Sequence, residues 1–265
     1  MSTYQGVLGV NKIDKGYQFS VWAPNAKSVS LVGDFNDWDE DQNAMQQADN
    51  GIWWVDIPTA ANNDEYKFCI ESADNKNNKK NDPRARKMTN SVGNSIIYDD
   101  DFDWKIDNFE LPPVHQRIIY EMHIGTFNQL SGERGTFNSA IEKLDDLVEL
   151  GVNVLEIMPV NEFAGDISWG YNPAAPFAIE EAYGGPDGLK QFIDAAHQRG
   201  MGVILDVVYN HLGPSDLNIW QFDGWSENDK GGIYFYNDQR SSTPGARPDL
   251  TMVASKCATT LKTMH

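Results

Sequence analysis

Short apolar runs alternate with amphipathic stretches between residues 112 and 210, and this alternation constrains the fold more than any other feature. The runs cover residues 118–123, 154–158 and 202–208, and each is apolar on both faces. Strands buried on both faces occur mainly in parallel sheets covered by helices. The order strand, helix, strand, helix, strand therefore predicts βαβ units, which fit either a doubly wound sheet or the opening of a (β/α)8 barrel.

Two helices are predicted between these strands. The spacing Ser139-Ala-Ile-Glu142 is typical of a capping box and predicts a helix that begins there and ends at Gly151. Pro186 suits the first position of the second helix, and Gly200 suits its end. Each stretch has one apolar face, as expected of a helix that packs on a sheet.

Residues 1–111 show a different pattern, in which short alternating runs are separated by segments rich in turn residues. This spacing is typical of an immunoglobulin-like β-sandwich. The predicted strands cover residues 17–22, 28–32, 52–57, 66–71 and 95–98.

The pair Pro112-Pro113 separates the two patterns, because proline lacks the backbone donor that helices and strands use. We predict a sandwich over residues 1–111, a segment of parallel βαβ units over 112–249, and an atypical tail over 250–265. If the second segment belongs to a barrel, it is shorter than the roughly 250 residues of a typical one and would hold only the opening three strands. The tail has no acidic and no aromatic residue, and we interpret it as the product of a shifted reading frame.

Charge and cysteine content exclude several classes of function. The chain has 39 acidic and 21 basic residues, a net charge of −18, which would repel nucleic acids and anionic membrane surfaces. No apolar run has the length of a signal peptide or a membrane span, so we expect a cytoplasmic protein. Cys69 and Cys257 are too far apart in sequence to indicate a disulfide framework or a zinc site.

Polar residues follow the third strand of the second segment: Asp206, Asn210 and His211 lie within six positions. The carboxyl ends of parallel strands carry the binding site in both candidate architectures. A carboxylate, an amide and an imidazole at such an end could bind a ligand rich in hydroxyl groups. The structural alternative is that Asp206 is a buried, paired carboxylate with no ligand.

The sequence Asp206-Val-Val-Tyr-Asn-His211 resembles the first signature region of the α-amylase superfamily of glycoside hydrolases and transglycosidases. Six further segments are similar to the branch that contains glycogen branching enzymes, isoamylases and maltooligosyltrehalose trehalohydrolases. They occur in the order of that family at residues 19–26, 31–38, 120–127, 157–160, 168–173 and 182–187.

This resemblance implies that residues 112–249 are the opening part of an α/β (TIM) barrel, and it implies roles for matching residues. Tyr171 would stack under a sugar, and Asp206, Asn210 and His211 would contribute polar contacts to it. The sandwich would be a glycan-binding module, with Trp38, Trp53 and Trp54 as candidate platforms. Because Trp53 and Trp54 are adjacent in a strand, we expect one in the core and one exposed, and we assign the exposed role to Trp54. We predict no cofactor and no metal, since a single asparagine oxygen does not define a calcium site.

The resemblance implies a 1,4-α-glucan branching activity on glycogen, starch or maltooligosaccharides. A hydrolase of the trehalohydrolase or isoamylase type is the first alternative, and a glycan-binding module without catalysis is the second. A retaining glycosidase uses two carboxyl groups about 5 Å apart. No segment of this sequence matches the family's nucleophile or acid. Arg247-Pro-Asp249 has the Arg-x-Asp spacing of the nucleophile motif, but its proline disfavours a central strand. We therefore expect the 265 residues to be an inactive fragment.

Overall fold

The N-terminal half of the chain is an antiparallel β-sandwich. A computed structural model describes residues 4–213 and 215–241 and the backbone of 251–252. The predictions on Arg247, Asp249 and Cys257 lie outside these residues, as does most of the tail. The strands of this half are β1 Gly9–Lys12, β2 Tyr17–Trp22, β3 Ser28–Gly33, β4 Gln46–Gln47, β5 Ile52–Ile57, β6 Glu65–Glu71, β7 Asn77–Lys80, β8 Lys87–Met88 and β9 Ser95–Ile96.

Two sheets face each other across the sandwich core. One has the order β1-β2-β5-β4, and the other has the order β3-β6-β9-β8 with β7 paired to β6. Alternation along the strands supplies the core, because successive side chains point to opposite faces. Phe19, Leu31 and Phe68 are accordingly fully buried between the sheets. The bounds predicted for β2 and β5 are confirmed.

The second half contains a parallel sheet with helices on one side. Its strands β10 (Ile119–Met122), β11 (Val154–Ile157) and β14 (Gly202–Leu205) pair in that order, each with the next parallel strand along the chain, as in a (β/α)8 barrel. Ile119, Val154 and Gly202 form one row of the register. The elements are β10 Ile119–Met122, α1 Ile124–Phe127, α2 Phe137–Ile141, α3 Leu144–Glu149, β11 Val154–Ile157, β12 Asn161–Phe163, β13 Pro173–Ile179, α4 Gly185–Gln198, β14 Gly202–Leu205, β15 His211–Leu212 and β16 Thr251–Met252.

The first predicted helix differs from the structure in its start and in its continuity. It begins after Thr136, whose side chain accepts from the Ser139 N–H, while the Ser139 hydroxyl forms the reciprocal contact. The prediction that Ser139 opens the helix was therefore wrong, because Ser139 is the N3 residue of the capping box and Thr136 is its N-cap. The helix also breaks after Ile141 and resumes at Leu144 as α3. The second helix, α4, has Pro186 in its first turn as predicted.

The segment after β15 returns to the sandwich and completes its core. Leu212, Ile219, Phe222 and Phe235 belong to the same buried cluster as the sandwich side chains. The Asp223 carboxylate accepts hydrogen bonds from the backbone and side-chain N–H groups of Asn25, both at 2.9 Å. The sandwich core is thus built from both ends of the described chain, and the predicted division at residue 111 stays a prediction.

Several apolar side chains of the parallel sheet are exposed. Ile119 and Tyr120 on β10 and Leu205 on β14 are 49, 37 and 41 % exposed. In the central strand β11, by contrast, Val154, Leu155 and Ile157 are fully buried. Exposure is therefore confined to the two outer strands of the sheet. Among the described helices, none is long and apolar enough to cross a bilayer.

Candidate functional site

Asp206 lies directly after β14, at the carboxyl end of the parallel sheet. Its backbone N–H donates to the Ile157 carbonyl oxygen at 3.0 Å, so the sheet ladder fixes its position. By alternation, Asp206 shares a face with Ile204 and with the row partners Glu121 and Glu156. The helices cover the other face, because Ile157 belongs to the cluster formed with them. The face away from the helices therefore carries three carboxyl groups at this end of the sheet.

Tyr171 lies in the loop between β12 and β13 and closes over this face. Its hydroxyl donates to Oδ2 of Asp206 at 2.7 Å, and the residue is 40 % exposed. The hydrogen bond to Asp206 raises the pKa of Tyr171 to about 12, with further contributions from burial and from the charges of Asp206, Glu121 and Glu156. The Tyr171 hydroxyl is therefore a fixed donor, and its ring remains accessible from solution.

His211 joins the site through the backbone of the same loop. Its Nε2 lies 2.9 Å from the Tyr171 carbonyl oxygen. Because a carbonyl only accepts, Nε2 carries the proton. The His211 Nδ1 is buried, and no hydrogen-bond partner for it is found in the described part of the chain. The structure thus brings together Tyr171, Asp206 and His211. Asn210 lies next to His211 in the sequence, and its side chain is exposed.

A glycine sets the course of the loop that carries Tyr171. Gly170 has φ +86°, and a Cβ at this position would lie 1.9 Å from the Pro159 carbonyl oxygen just after β11. The Gly170 N–H donates to the Ser168 hydroxyl at 3.0 Å, and that hydroxyl also contacts the side chain of Asn172.

Trp169 is 72 % exposed in the same loop. Trp169 was not among the residues predicted for the site, although its place two residues before Tyr171 in a polar loop could have indicated it.

His123 connects the first strand of the sheet to this loop. Its Nε2 lies 2.8 Å from the Ser168 carbonyl oxygen and 3.0 Å from the Tyr183 hydroxyl, and its Nδ1 lies 2.9 Å from Oγ1 of Thr126. Both ring nitrogens are thus engaged by protein groups. The structure assigns His123 a positioning role for the loop.

Two buried glutamates hold the hairpin from which the loop projects. Oε2 of Glu180 accepts from the Phe163 N–H at 3.2 Å, and Oε2 of Glu162 accepts from the Glu181 N–H at 3.1 Å. Burial raises the pKa of Glu162 to about 8, and the charge of Glu180 adds to the rise. Burial raises the pKa of Glu180 to about 7. Near neutral pH this pair therefore retains protons that exposed glutamates would lose. No local pattern in the sequence indicates this pair.

The expectation that Trp54 is exposed was wrong. Trp53 and Trp54 do point to opposite faces of the sheet, but each is only 7 % exposed. Trp54 pairs with Ser20 on the outer face, and the Ser20 hydroxyl donates to the Val7 carbonyl oxygen at 2.8 Å. The N-terminal segment thus crosses the outer face and covers it. Alternation predicted the orientation of the two rings but not this cover.

Trp38 is the candidate platform of the sandwich that solvent still reaches. It is half-buried, and its indole N–H donates to Oδ1 of Asp34 at 3.0 Å, which fixes the ring beside the turn after β3. Within residues 4–213 and 215–241, no group of three or more His, Cys, Asp or Glu side chains is placed so that it could hold a metal ion.

Two family profiles match this chain. Residues 7–85 match carbohydrate-binding module 48, the isoamylase N-terminal domain. Residues 89–250 match the α-amylase catalytic domain. Together they confirm the predicted fold class, an immunoglobulin-like sandwich followed by the start of an α/β barrel.

Individual relatives agree with these matches. A 1,4-alpha-glucan branching enzyme GlgB of Picrophilus torridus is 37 % identical over 254 residues, which is 93 % of this chain and 34 % of that protein. A malto-oligosyltrehalose trehalohydrolase of Saccharolobus solfataricus is 37 % identical over 209 residues, 77 % of this chain and 34 % of that protein. A pullulanase structure from Bacillus acidopullulyticus superposes with a TM-score of 0.76 at 27 % identity, and the match covers 98 % of this chain and 36 % of the pullulanase chain. The chain therefore spans about a third of the length of these relatives.

Proposed function

The chain belongs to the α-amylase family, and from this premise we propose that it acts on α-glucans as part of a 1,4-α-glucan branching enzyme. The observation that carries the proposal is the cluster of Tyr171, Asp206 and His211 at the carboxyl end of the parallel sheet. We also propose a cytoplasmic location, which the free, buried thiol of Cys69 supports because thiols persist in reducing compartments.

The cluster has the chemistry that a pyranose requires. The accessible ring of Tyr171 offers an apolar surface to the C–H face of a sugar. The Asp206 carboxylate still has one oxygen that accepts no hydrogen bond from Tyr171, and sugar hydroxyls are donors of the right kind for it. The neighbouring carboxyl groups of Glu121 and Glu156 make the face a poor one for anions. A neutral, hydroxyl-rich ligand is the best fit.

Binding of a maltooligosaccharide tests this assignment. We expect Tyr171→Ala to weaken maltoheptaose binding about tenfold, equivalent to about 1.4 kcal/mol, because it removes the ring that the sugar stacks on. Tyr171→Phe keeps the ring and should retain most of the affinity. Tyr236→Ala removes a tyrosine that packs under Arg240 far along the chain, and it should have no effect. Titration calorimetry measures all three, and equal losses in the two Tyr171 variants would contradict stacking.

Turnover is a separate question, because sugar binding and bond cleavage need different groups. The residues that match the family supply sugar contacts, and no residue matches its nucleophile or its acid. We therefore expect the 265-residue chain to release no reducing ends from amylose and to leave its iodine colour unchanged. Turnover that disappears in Asp206→Ala would contradict this prediction. Binding without turnover is the behaviour of the glycan-binding alternative.

A hydrolase of the trehalohydrolase type is the second candidate. Its support is the trehalohydrolase relative, which matches at the same 37 % identity as the branching enzyme. The two candidates differ in the ligand that they should prefer. Tighter binding of maltooligosyltrehalose than of a maltooligosaccharide of equal length would favour the hydrolase.

A further inference from the structure

A cavity of about 270 Å³ lies where the sandwich meets the second half of the chain, away from the Tyr171 site. Its walls come from β1, from the segment around Arg84 and Arg86, from Tyr98, and from Phe177 on β13. It is slightly smaller than the range of about 300–1,000 Å³ found for drug-sized ligands. Its occupant would be a compact molecule, no larger than about one sugar ring.

The cavity is basic in a strongly acidic protein. Two arginines and no aspartate or glutamate are among the described residues that line it, although the chain has 39 acidic residues and 21 basic ones. None of the ion pairs found between described residues involves Arg84 or Arg86. Both positive charges therefore lack a paired carboxylate at ion-pair distance.

Most of the hydrogen-bond donors of the two guanidinium groups are unused. The Arg84 guanidinium lies over the Phe177 ring, 5.3 Å from its centroid, and donates no hydrogen bond to a described residue. Arg86 uses Nη2 to donate to the Tyr98 carbonyl oxygen at 2.7 Å. A guanidinium group has five N–H donors in a rigid fork. The aromatic ring and the carbonyl thus orient the two forks while leaving donors available.

The nearest buried carboxylate, Asp82, is already engaged. Its Oδ2 accepts from the Tyr66 hydroxyl and its Oδ1 accepts from the Arg84 backbone N–H, both at 2.8 Å. Asp82 is 4 % exposed and does not line the cavity. Asp82 holds the Arg84 backbone in place, and its charge also acts on both guanidinium groups without forming an ion pair at contact distance.

We propose that this cavity binds a small phosphorylated ligand, with its phosphate dianion held by Arg84 and Arg86. Paired guanidinium forks match the charge and the several acceptor oxygens of a phosphate monoester. A neutral glucan has no anionic group that the two guanidinium groups could bind. The apolar walls formed by Val10 and Ile96 would cover the body of the ligand. Because both halves of the chain contribute walls, binding should also stabilise their junction.

Calorimetry with glucose 1-phosphate, inorganic phosphate, glucose and glucuronate, at constant ionic strength, tests the proposal. We expect both phosphates to bind and glucose and glucuronate to bind at least tenfold more weakly. Tighter binding of glucose 1-phosphate than of inorganic phosphate identifies a phosphorylated sugar as the ligand class, and equal binding identifies the phosphate group alone. Absence of phosphate binding at millimolar concentration, or tighter binding of glucuronate, would overturn the proposal.

Variants connect the binding to the cavity. Arg84→Gln should weaken phosphate binding at least tenfold. Arg84→Lys keeps the charge without the guanidinium fork, so its phosphate affinity should lie between those of the unsubstituted protein and Arg84→Gln. Arg240→Gln removes an arginine paired with Asp238 at the surface and should change nothing. An unchanged unfolding midpoint without ligand shows that Arg84→Gln is folded, and Arg86→Gln replaces it if it is not. Phosphate binding that neither cavity arginine affects overturns the proposal. Maltoheptaose binding should be the same in all these variants, so the outcome is independent of the proposed glucan site.

Discussion

Replacing Gly170 with alanine is expected to abolish sugar binding at the Tyr171 site while the sandwich remains folded. Gly170 has φ +86°, a conformation that costs an L-residue about 1–2 kcal/mol. The added Cβ would also lie 1.9 Å from the Pro159 carbonyl oxygen, a backbone atom that cannot rotate away. The loop must therefore move, and with it the hydrogen bond between Tyr171 and Asp206. We expect at least a tenfold loss of maltoheptaose affinity and faster hydrogen exchange over residues 163–172.

Gly165→Ala is the matched control, because it lies in the same loop and differs in one respect. Gly165 has φ +73°, but nothing lies within 4 Å of a Cβ placed there. This variant carries the conformational cost of about 1 kcal/mol without the clash. It should keep its sugar affinity. Equal losses in both variants would show that backbone strain alone, and not the contact with Pro159, disturbs the site.

Stability is expected to fall as the pH rises from about 5 to 8, in contrast to proteins whose carboxylates form ion pairs. Burial raises the pKa of Glu162 to about 8 and that of Glu180 to about 7, so the folded state holds protons that the unfolded state has released. Stability declines wherever the folded state binds more protons, by up to about 1.4 kcal/mol per pH unit for each group. The stabilisation by the protonated glutamates is complete at pH values below their pKa in the unfolded state, and it is lost at pH values above their pKa in the folded state.

Glu162→Gln should remove the larger part of this slope. The amide oxygen can still accept from the Glu181 N–H, and the side chain no longer ionises. We expect the two proteins to be equally stable at pH 5 and the variant to be about 2–4 kcal/mol more stable at pH 8. Urea unfolding at both pH values measures this difference. Glu149→Gln, at an exposed position of α3, should follow the unsubstituted protein. Parallel curves for Glu162→Gln and the unsubstituted protein would show that Glu162 is not the titrating group.

The periodicity of apolar residues predicted the strands whose position depends mainly on residues close in sequence. Alternation within the runs 17–22 and 52–57 set the bounds of β2 and β5, because each strand has one face on the sandwich core. The apolar run 154–158 became the central strand of the parallel sheet. Resemblance to the family, rather than periodicity, singled out Tyr171, Asp206 and His211. The structure brings these three together, and their roles toward sugar stay a prediction.

The features that sequence analysis missed depend on contacts between distant segments. Trp54 is buried because the chain near Val7 crosses its face of the sheet, and no local pattern encodes that crossing. The pKa of Glu162 depends on burial and on Glu180, which directly follows the neighbouring strand of the hairpin. The basic cavity needs Arg84 to meet Phe177 across the junction of the two halves. In each case the deciding partner is far along the chain, where single-sequence periodicity carries no information.

Part of the sandwich core is synthesised late, because the segment that completes it comes near the end of the described chain. Phe19, Leu31 and Phe68 leave the ribosome long before Phe222 and Phe235, which pack into the same core. At about 5–20 residues per second, a bacterial or eukaryotic ribosome needs on the order of ten seconds or more to translate the intervening stretch. During that interval the nascent sandwich has an apolar face without its cover. The chain should therefore depend on chaperones that bind nascent chains at the ribosome, and slowing translation should lower its soluble yield.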